Sequence, residues 1–144
     1  MLKRWRILMI ACVLIGLCPL WAQDIKEGYG KMTMPDGSVY EGQFKDGVFE
    51  GQGTLTNPNG GRYTGGFKYG LYDGKGVLLY IDGSKYEGHF KEGQLNGQGV
   101  VSYADGGSYK GHFKDGEIEG QGVFTNFDGT KSVINQTSSA QKSP

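Results

Sequence analysis

The chain has 144 residues, and its 15 basic and 15 acidic side chains give a formal net charge of zero. A chain without excess positive charge lacks the field that nucleic-acid binding requires, so that class of function is excluded. The 27 glycines are more than twice the average share, but only 4 prolines accompany them, which excludes collagen-like and proline-rich disordered chains.

The first 22 residues have the layout of a secretory signal peptide. Three basic residues among the first six precede an apolar stretch from Ile7 to Leu17, and Ala22 stands before the first polar run. We therefore predict export, with cleavage after Ala22, to the periplasm or out of the cell. Because Leu20 is bulky for its place before that bond, an uncleaved signal that anchors the chain in the membrane is the alternative.

Both cysteines of the chain, Cys12 and Cys18, lie in this first segment. Cleavage would leave a mature chain, residues 23–144, without any thiol. Thiolate catalysis, cysteine-ligated zinc and disulfide bonds are then excluded together, although an exported compartment permits disulfides.

A period of 23 residues organises the chain from about residue 27 to residue 131. Tyrosine marks the period, and phenylalanine follows it four residues later. The members of these two columns are Tyr40, Tyr63, Tyr86 and Tyr109, with Phe44, Phe67, Phe90 and Phe113. A half unit with glycines at Gly28, Gly30 and Gly37 precedes the first tyrosine, near residues 27–39. Fixed columns at this spacing indicate a repeated supersecondary unit.

Each unit contains two turn signals separated by segments of strand length. One set consists of Asx-Gly pairs, which predict type I′ hairpin turns because both central residues of such turns have positive φ. These pairs are Asp36-Gly37, Asn59-Gly60, Asp82-Gly83, Asp105-Gly106 and Asp128-Gly129. The second set is Asp46-Gly47, Tyr69-Gly70, Glu92-Gly93 and Asp115-Gly116. The segments between the turns predict strands of about five or six residues and leave no room for a helix.

Alternation along the first strand of each unit separates an aromatic face from a polar face. Tyr40 and Phe44 point to one side, and Glu41 and Lys45 point to the other. Glycine inside a strand costs about 0.5 to 1 kcal/mol relative to alanine. We infer that the strand glycines persist because they let tyrosine and phenylalanine rings lie flat across the neighbouring backbone.

The run Tyr40-x-Gly42-x-Phe44-x-x-Gly47-x-x-x-Gly51-x-Gly53, present in four copies, resembles the MORN repeat family over about residues 27 to 131. The resemblance implies an all-β fold, an elongated single-layer antiparallel sheet of about four and a half β-hairpin repeats with the aromatic residues lining a trough. Members of that family act mostly as scaffolds for other proteins or as modules attached to catalytic domains, so the resemblance implies a role of this kind. The family's name reflects proposed membrane association.

Two columns depart from the common pattern of that family. Phenylalanine stands where many members carry tryptophan, and an acidic or amide residue stands where many carry histidine before the Gly-x-Gly. The second column consists of Glu50, Asp73, Asn96 and Glu119. Acidic residues in that column disfavour contact with anionic lipid headgroups.

The sequence after Thr130 shows no period and is rich in Ser, Gln and Lys, so we predict a disordered tail over residues 132–144. The domains are then a signal peptide at 1–22, a repeat domain at 23–131 and this tail. The sheet is expected to end at two exposed edges, near Gly28 to Met34 and near Val123 to Phe127.

The sequence contains no Walker-type phosphate loop and no His-Glu-x-x-His zinc motif, and its one Ser-x-x-Lys match, Ser139 to Lys142, lies in the tail without partner motifs. His89 and His112 occupy the same column, but equivalent strands lie about 10 Å apart, too far to share a zinc ion. Lys45, Lys68, Lys91 and Lys114 form a ladder, with acidic residues on both sides that indicate a solvated mixed face. We therefore expect no enzyme, no metal and no cofactor.

Two functional hypotheses follow. The first is an exported, non-enzymatic scaffold that binds another protein, or a second copy of itself, through the aromatic trough or the sheet edges. The second is an envelope module that binds glycan or lipid by stacking on the tyrosine ladder. The candidate binding residues are the eight aromatic residues of the two columns: Tyr40, Tyr63, Tyr86, Tyr109, Phe44, Phe67, Phe90 and Phe113.

Overall fold

The structure is a computed structural model that describes residues 26–136. This part of the chain is all-β and forms one open sheet of ten antiparallel strands, whose order in space is their order in the sequence. The strands are β1 (Glu27–Thr33), β2 (Val39–Lys45), β3 (Val48–Thr56), β4 (Arg62–Lys68), β5 (Leu71–Leu79), β6 (Lys85–Lys91), β7 (Gln94–Ser102), β8 (Ser108–Lys114), β9 (Glu117–Thr125) and β10 (Lys131–Gln136). Between residues 26 and 136 no segment forms a helix that could span a membrane. The predicted signal peptide and the last eight residues lie outside the described range.

Each strand pairs only with its neighbours in the sequence, as expected of a repeat protein whose units contact only adjacent units. The core lies on one face of this sheet, and the predicted faces are confirmed. Tyr40 and Phe44 are buried, whereas Glu41 and Lys45 are exposed. The strands are longer than predicted, at seven or nine residues for β1 to β9, because the tighter of the two turn sets occupies only two residues.

A β-bulge interrupts the pairing inside most units, and it assigns a separate role to one glycine column. Between the pairs Gly42–Gly53 and Phe44–Phe49, β3 contains two more residues than β2. Gly51 in this bulge has a φ of 68°, and the Gln43 Oε1 atom accepts a hydrogen bond from the Gln52 N–H at 2.7 Å. This column therefore requires glycine for its backbone conformation, not for the passage of a ring.

The predicted type I′ geometry of the Asx-Gly turns is wrong. In the first of them only Gly37 has a positive φ, of 84°. The Gly37 N–H donates to the Met34 carbonyl at 2.9 Å, and the Met34 N–H donates to the Ser38 carbonyl at 2.7 Å. This is a type I turn followed by a left-handed glycine. Pro35 fits the second position of a type I turn, and Asp36 Oδ1 accepts the Ser38 N–H at 2.8 Å.

The second turn set has the type I′ geometry. Asp46 and Gly47 have φ values of 51° and 73°, so both central residues adopt the left-handed conformation that this turn requires. The equivalent residues Tyr69, Glu92 and Asp115 also have a φ of 51°. Tyr69 and Glu92 do not favour that conformation, which aspartate tolerates better, so in these two turns the strands on either side impose it.

The C-terminal boundary of the sheet differs from the prediction. Residues 131–136 were expected to be largely disordered, but they form β10, which pairs with β9 over six residues without interruption. Lys131 to Gln136 carries no repeat pattern, so the ladder of β9 and not the sequence period places this strand. The second sheet edge is therefore β10 and not Val123 to Phe127, whereas the first edge is β1, as predicted.

Candidate interaction surfaces

The eight aromatic residues predicted as binding residues form the core of the sheet. The four tyrosines are 0 to 1% exposed, and the four phenylalanines are 3 to 4% exposed. The structure brings all eight together in one row along the aromatic face, with Met34 and Phe49 among their buried neighbours.

The rings contact one another across strands in a regular pattern. Tyr63 is stacked on Tyr72 with ring centroids 3.7 Å apart, and it meets the edges of Phe67 and Phe90 at 5.2 and 4.9 Å. Phe90 belongs to the next unit, so each unit covers part of the core of the one before it. Edge-to-face aromatic pairs of this kind are worth about 0.5 to 1.5 kcal/mol beyond the area they bury.

Three of the four tyrosine hydroxyl groups form hydrogen bonds inside the core. Tyr40, Tyr63 and Tyr86 donate to the backbone carbonyls of residues three positions later, at 2.8, 2.9 and 3.1 Å. Desolvation by burial raises the pKa of Tyr40 to about 12, and it also raises the pKa of Tyr63. Tyr109 differs from these three, because its Oη atom has no hydrogen-bond partner among the described residues.

This burial corrects the interpretation of the aromatic columns as a binding surface. A ring that is 0 to 4% exposed has no free face on which a glycan or lipid could stack. The aromatic trough expected from the sequence is filled by its own side chains. The eight buried rings are therefore closed to a partner, whereas the polar face, the rows of turns, the two edges and the half-buried apolar side chains that pack against the core remain accessible.

The polar face contains a shallow groove of about 420 Å³ near the middle of the sheet, with Gln52, Lys75, Glu87, His89 and Gln98 among its lining residues. His89 and Gln98 form hydrogen bonds here. Nδ1 of His89 lies 3.3 Å from the backbone carbonyl oxygen of Gln98, and the side-chain Nε2 of Gln98 lies 3.2 Å from Nδ1 of His112 outside the groove. Within residues 26–136 no three histidine, cysteine, aspartate or glutamate side chains are placed to hold a metal ion.

The charges on the polar face pair locally. Lys114 Nζ lies 3.6 Å from the carboxylate of Glu119, and Lys31 Nζ lies 3.8 Å from the carboxylate of Glu41. These pairs are exposed, so each contributes little to stability. The lysine ladder is thus part of a solvated face of mixed charge.

A row of apolar turn residues was missed by the sequence analysis. The second position of every Asx-Gly turn is apolar, and we call these five residues the turn ridge: Pro35, Pro58, Ile81, Ala104 and Phe127. Ile81 is 71% exposed and Phe127 is 81% exposed. The signal was available in the sequence, because the five residues occupy one column of the 23-residue period.

Successive turns of the ridge pack on one another. A Cβ atom added to Gly61 would lie 3.6 Å from Ile81 Cγ2, and one added to Gly106 would lie 3.7 Å from the Cβ of Phe127. Tyr80 and Tyr103, each just before a ridge residue, are 38 and 39% exposed. The ridge is therefore a row of apolar side chains, one in each turn, along one long side of the sheet.

The sequence profile described as MORN repeat matches five consecutive segments, at residues 20–39, 40–62, 63–85, 86–108 and 109–131. No curated protein sequence matches the chain.

Among the solved structures that match is the "SAS-4 (dCPAP) TCP domain in complex with a Proline Rich Motif of Ana2 (dSTIL) of Drosophila Melanogaster". That chain is 16% identical to this one, with a TM-score of 0.49. The match covers 78% of this chain and 62% of that chain, so this chain spans less than two thirds of the other's length.

Proposed function

Because the chain belongs to the MORN repeat family, whose repeats generally mediate protein or membrane interactions, we propose that it is a non-enzymatic scaffold that binds another protein, a second copy of itself included. The observation that carries this proposal is the division between a closed core and an apolar outer line. The tyrosine column is at most 1% exposed, whereas Ile81 and Phe127 of the turn ridge are 71 and 81% exposed.

The turn ridge supplies the kind of surface that protein partners bury. Exposed apolar residues that form a contiguous patch mark interaction sites more often than single exposed ones do. Equivalent ridge residues lie two strands apart, or about 10 Å, so a partner that binds along the ridge can contact several units at once. Tyr80 and Tyr103 widen the line with half-exposed aromatic rings, a residue type enriched at interfaces.

Charge beside the ridge favours a protein over an anionic lipid surface. An aspartate follows the ridge residue in four of the five turns: Asp36, Asp82, Asp105 and Asp128. Hydrogen bonds from Ser84 to Asp82 and from Thr130 to Asp128 lower the pKa of each carboxyl group below its usual range. These side chains are therefore ionised at neutral pH, and they repel anionic headgroups.

Export through the segment 1–22 is part of the same proposal. The basic start, the apolar stretch and Ala22 support it. Expression of the full sequence followed by N-terminal sequencing of the recovered protein tests this part. We expect a mature chain that begins at Gln23 and is found in the periplasm or the medium, and a chain that retains Met1 in the membrane fraction contradicts cleavage.

Cross-linking in the native cells, with mass spectrometry of the linked peptides, tests the scaffold proposal. We expect one reproducible protein partner whose cross-links map to the ridge side of the sheet. Ile81→Asp and Phe127→Asp should reduce the yield of this linked species at least about tenfold. The matched control is Tyr69→Asp, a 64% exposed aromatic residue in the opposite row of turns, which should leave the yield unchanged. Loss in the control alone, or co-purifying lipid without protein, overturns the proposal.

A further inference from the structure

The sheet ends in two edge strands of different character. On β1, Gly28 has a φ of 92° that breaks the extended backbone, and Glu27 and Lys31 place charges along the edge. Such features protect an edge against pairing. β10 is regular in all six of its pairs with β9, carries one charge and contains no proline. β10 is therefore the less protected edge.

The alternation of the β9–β10 ladder determines which backbone groups of β10 point outward. The Asn126 N–H donates to the Thr130 carbonyl at 2.9 Å and closes the hairpin. The next pair, Thr125 with Lys131, is then not hydrogen-bonded, and pairs alternate from there. The outward backbone groups accordingly belong to Lys131, Val133 and Asn135. Three such residues can receive another antiparallel strand.

The aromatic row also ends incompletely at β10. Tyr86 meets the edge of Phe113 in the next unit at 5.2 Å, but the residue that stands in this place for Tyr109 is Gln136. Ile134 occupies the column where other units have glycine and is only half-buried at the end of the core. An additional strand beside β10 would cover this end.

We propose that β10 pairs with β10 of a second copy in an antiparallel, two-fold symmetric dimer, so that one sheet of twenty strands runs through both copies. Directly opposite residues must lie on the same face, so Val133 faces its own counterpart, and Lys131 faces Asn135. This register joins the outward residues by about six backbone hydrogen bonds.

The side chains of β10 favour this self-pairing. Val133 is 61% exposed and gains an apolar neighbour across the two-fold axis. The only charged residue of the strand, Lys131, lies opposite an amide and not another lysine, so no like charges face each other. On the core face the two Ile134 side chains become diagonal neighbours. A two-fold contact of this kind closes after two copies, whereas β10 against β1 would continue into an open chain.

This inference rests on the proposed function only in treating the outer surfaces of the sheet as binding surfaces. Sedimentation equilibrium of the full-length gene product, purified from expressing cells without a tag, tests it. The informative variant is Val133→Pro, which removes an outward N–H and leaves the ladder with β9 intact. Lys31→Pro on β1 is the matched control, because the Met34–Ser38 bond that closes the first hairpin puts the Lys31 N–H outward too.

We expect a concentration-dependent dimer for the wild type and for Lys31→Pro. The dissociation constant of Val133→Pro should rise about tenfold or more. A wild type that stays monomeric, a dimer that Val133→Pro leaves unchanged, a dimer that Lys31→Pro abolishes, or open-ended polymers would each overturn the inference. A monomer that still forms the cross-linked species with another protein separates this failure from a failure of the scaffold proposal.

A second measurement tests the same pairing without the proline variant, which could fail to fold. In a background with Cys12→Ser and Cys18→Ser, Val133→Cys should form an intermolecular disulfide under mild oxidation, because the two-fold axis places the two Cα atoms about 5.5 Å apart. Lys31→Cys should stay unlinked under the same conditions. Equal linking of the two variants contradicts the proposed pairing.

Discussion

The side chain of Tyr63 lies directly against the backbone of Gly76: a Cβ atom added to that glycine would stand 2.5 Å from the hydroxyl oxygen and 2.6 and 2.7 Å from two ring carbons. Gly76 does not have a positive φ, so its backbone conformation would accept any residue and only the ring requires glycine there. The same relationship holds in the other units, between Tyr40 and Gly53, Tyr86 and Gly99, and Tyr109 and Gly122.

Substitution of Gly76 by alanine should therefore destabilise the sheet through overpacking. We expect Gly76→Ala to lower the free energy of unfolding by about 1 to 3 kcal/mol, measured by urea denaturation at neutral pH. In a Tyr63→Ala background the ring is already gone, so the same substitution should cost less than about 0.5 kcal/mol. Equal costs in the two backgrounds would show that the ring is not the cause.

The hydroxyl groups of Tyr63 and Tyr109 should contribute differently to stability. Tyr63 Oη donates to the Gly66 carbonyl at 2.9 Å, whereas Tyr109 Oη is buried without a partner. Tyr63→Phe should cost about 0.5 to 1.5 kcal/mol, and Tyr109→Phe should be neutral or stabilising. Chemical denaturation of the two variants checks this order, and a larger loss for Tyr109→Phe refutes it.

The turn at Tyr69-Gly70 should become more stable when its non-glycine residue suits the left-handed conformation. Tyr69 has a φ of 51° and a side chain that is 64% exposed, so replacement loses little packing. Tyr69→Asn should raise the free energy of unfolding by about 0.5 to 1 kcal/mol, because asparagine tolerates this conformation. Tyr103→Asn, at an exposed tyrosine without positive φ, is the control and should not stabilise. A less stable Tyr69→Asn would contradict the prediction.

Alkaline pH should unfold the protein through its buried tyrosines. Burial raises the pKa of Tyr40 from 10.0 to about 12, so the folded state holds this proton more tightly than the unfolded state does. Stability is then fully present below pH 10 and falls as the pH rises toward 12. Denaturation series across this interval measure the loss, and Tyr40→Phe should make the decline shallower. A stability that is flat up to pH 12 would contradict the assigned burial.

Much of the architecture follows from the sequence because its determinants are local. Alternation of Tyr40, Gly42 and Phe44 with polar residues placed the aromatic face correctly, since side chains of a strand point to opposite sides in turn. The 23-residue period set the units, and the profile match begins its units at the same residues, 40, 63, 86 and 109. The apolar column of the turn ridge was equally visible, but its exposure depends on how the turns stack.

Two features were not visible in any single column of the sequence. The geometry of the Asp36-Gly37 turn depends on the fixed φ of Pro35 and on the Ser38 N–H bond, a local combination that the Asx-Gly pair alone does not reveal. The burial of Tyr63 depends on Phe90, which lies 27 residues away and meets it only when the sheet is complete.

The strand Lys131–Gln136 shows most clearly the difference between what the sequence determines and what the tertiary structure determines. Its residues have no repeat pattern and few apolar side chains, so the sequence by itself predicts disorder there. The outer groups of β9 supply a ladder that pairs with almost any extended segment held next to it by a short turn, because backbone hydrogen bonds do not depend on side-chain identity. The sequence by itself thus determined the period, the strands and their faces through local alternation. Only the assembled sheet decided which rings are covered, which hydroxyl lacks an acceptor and where the last strand lies, because each depends on a neighbour supplied by another strand.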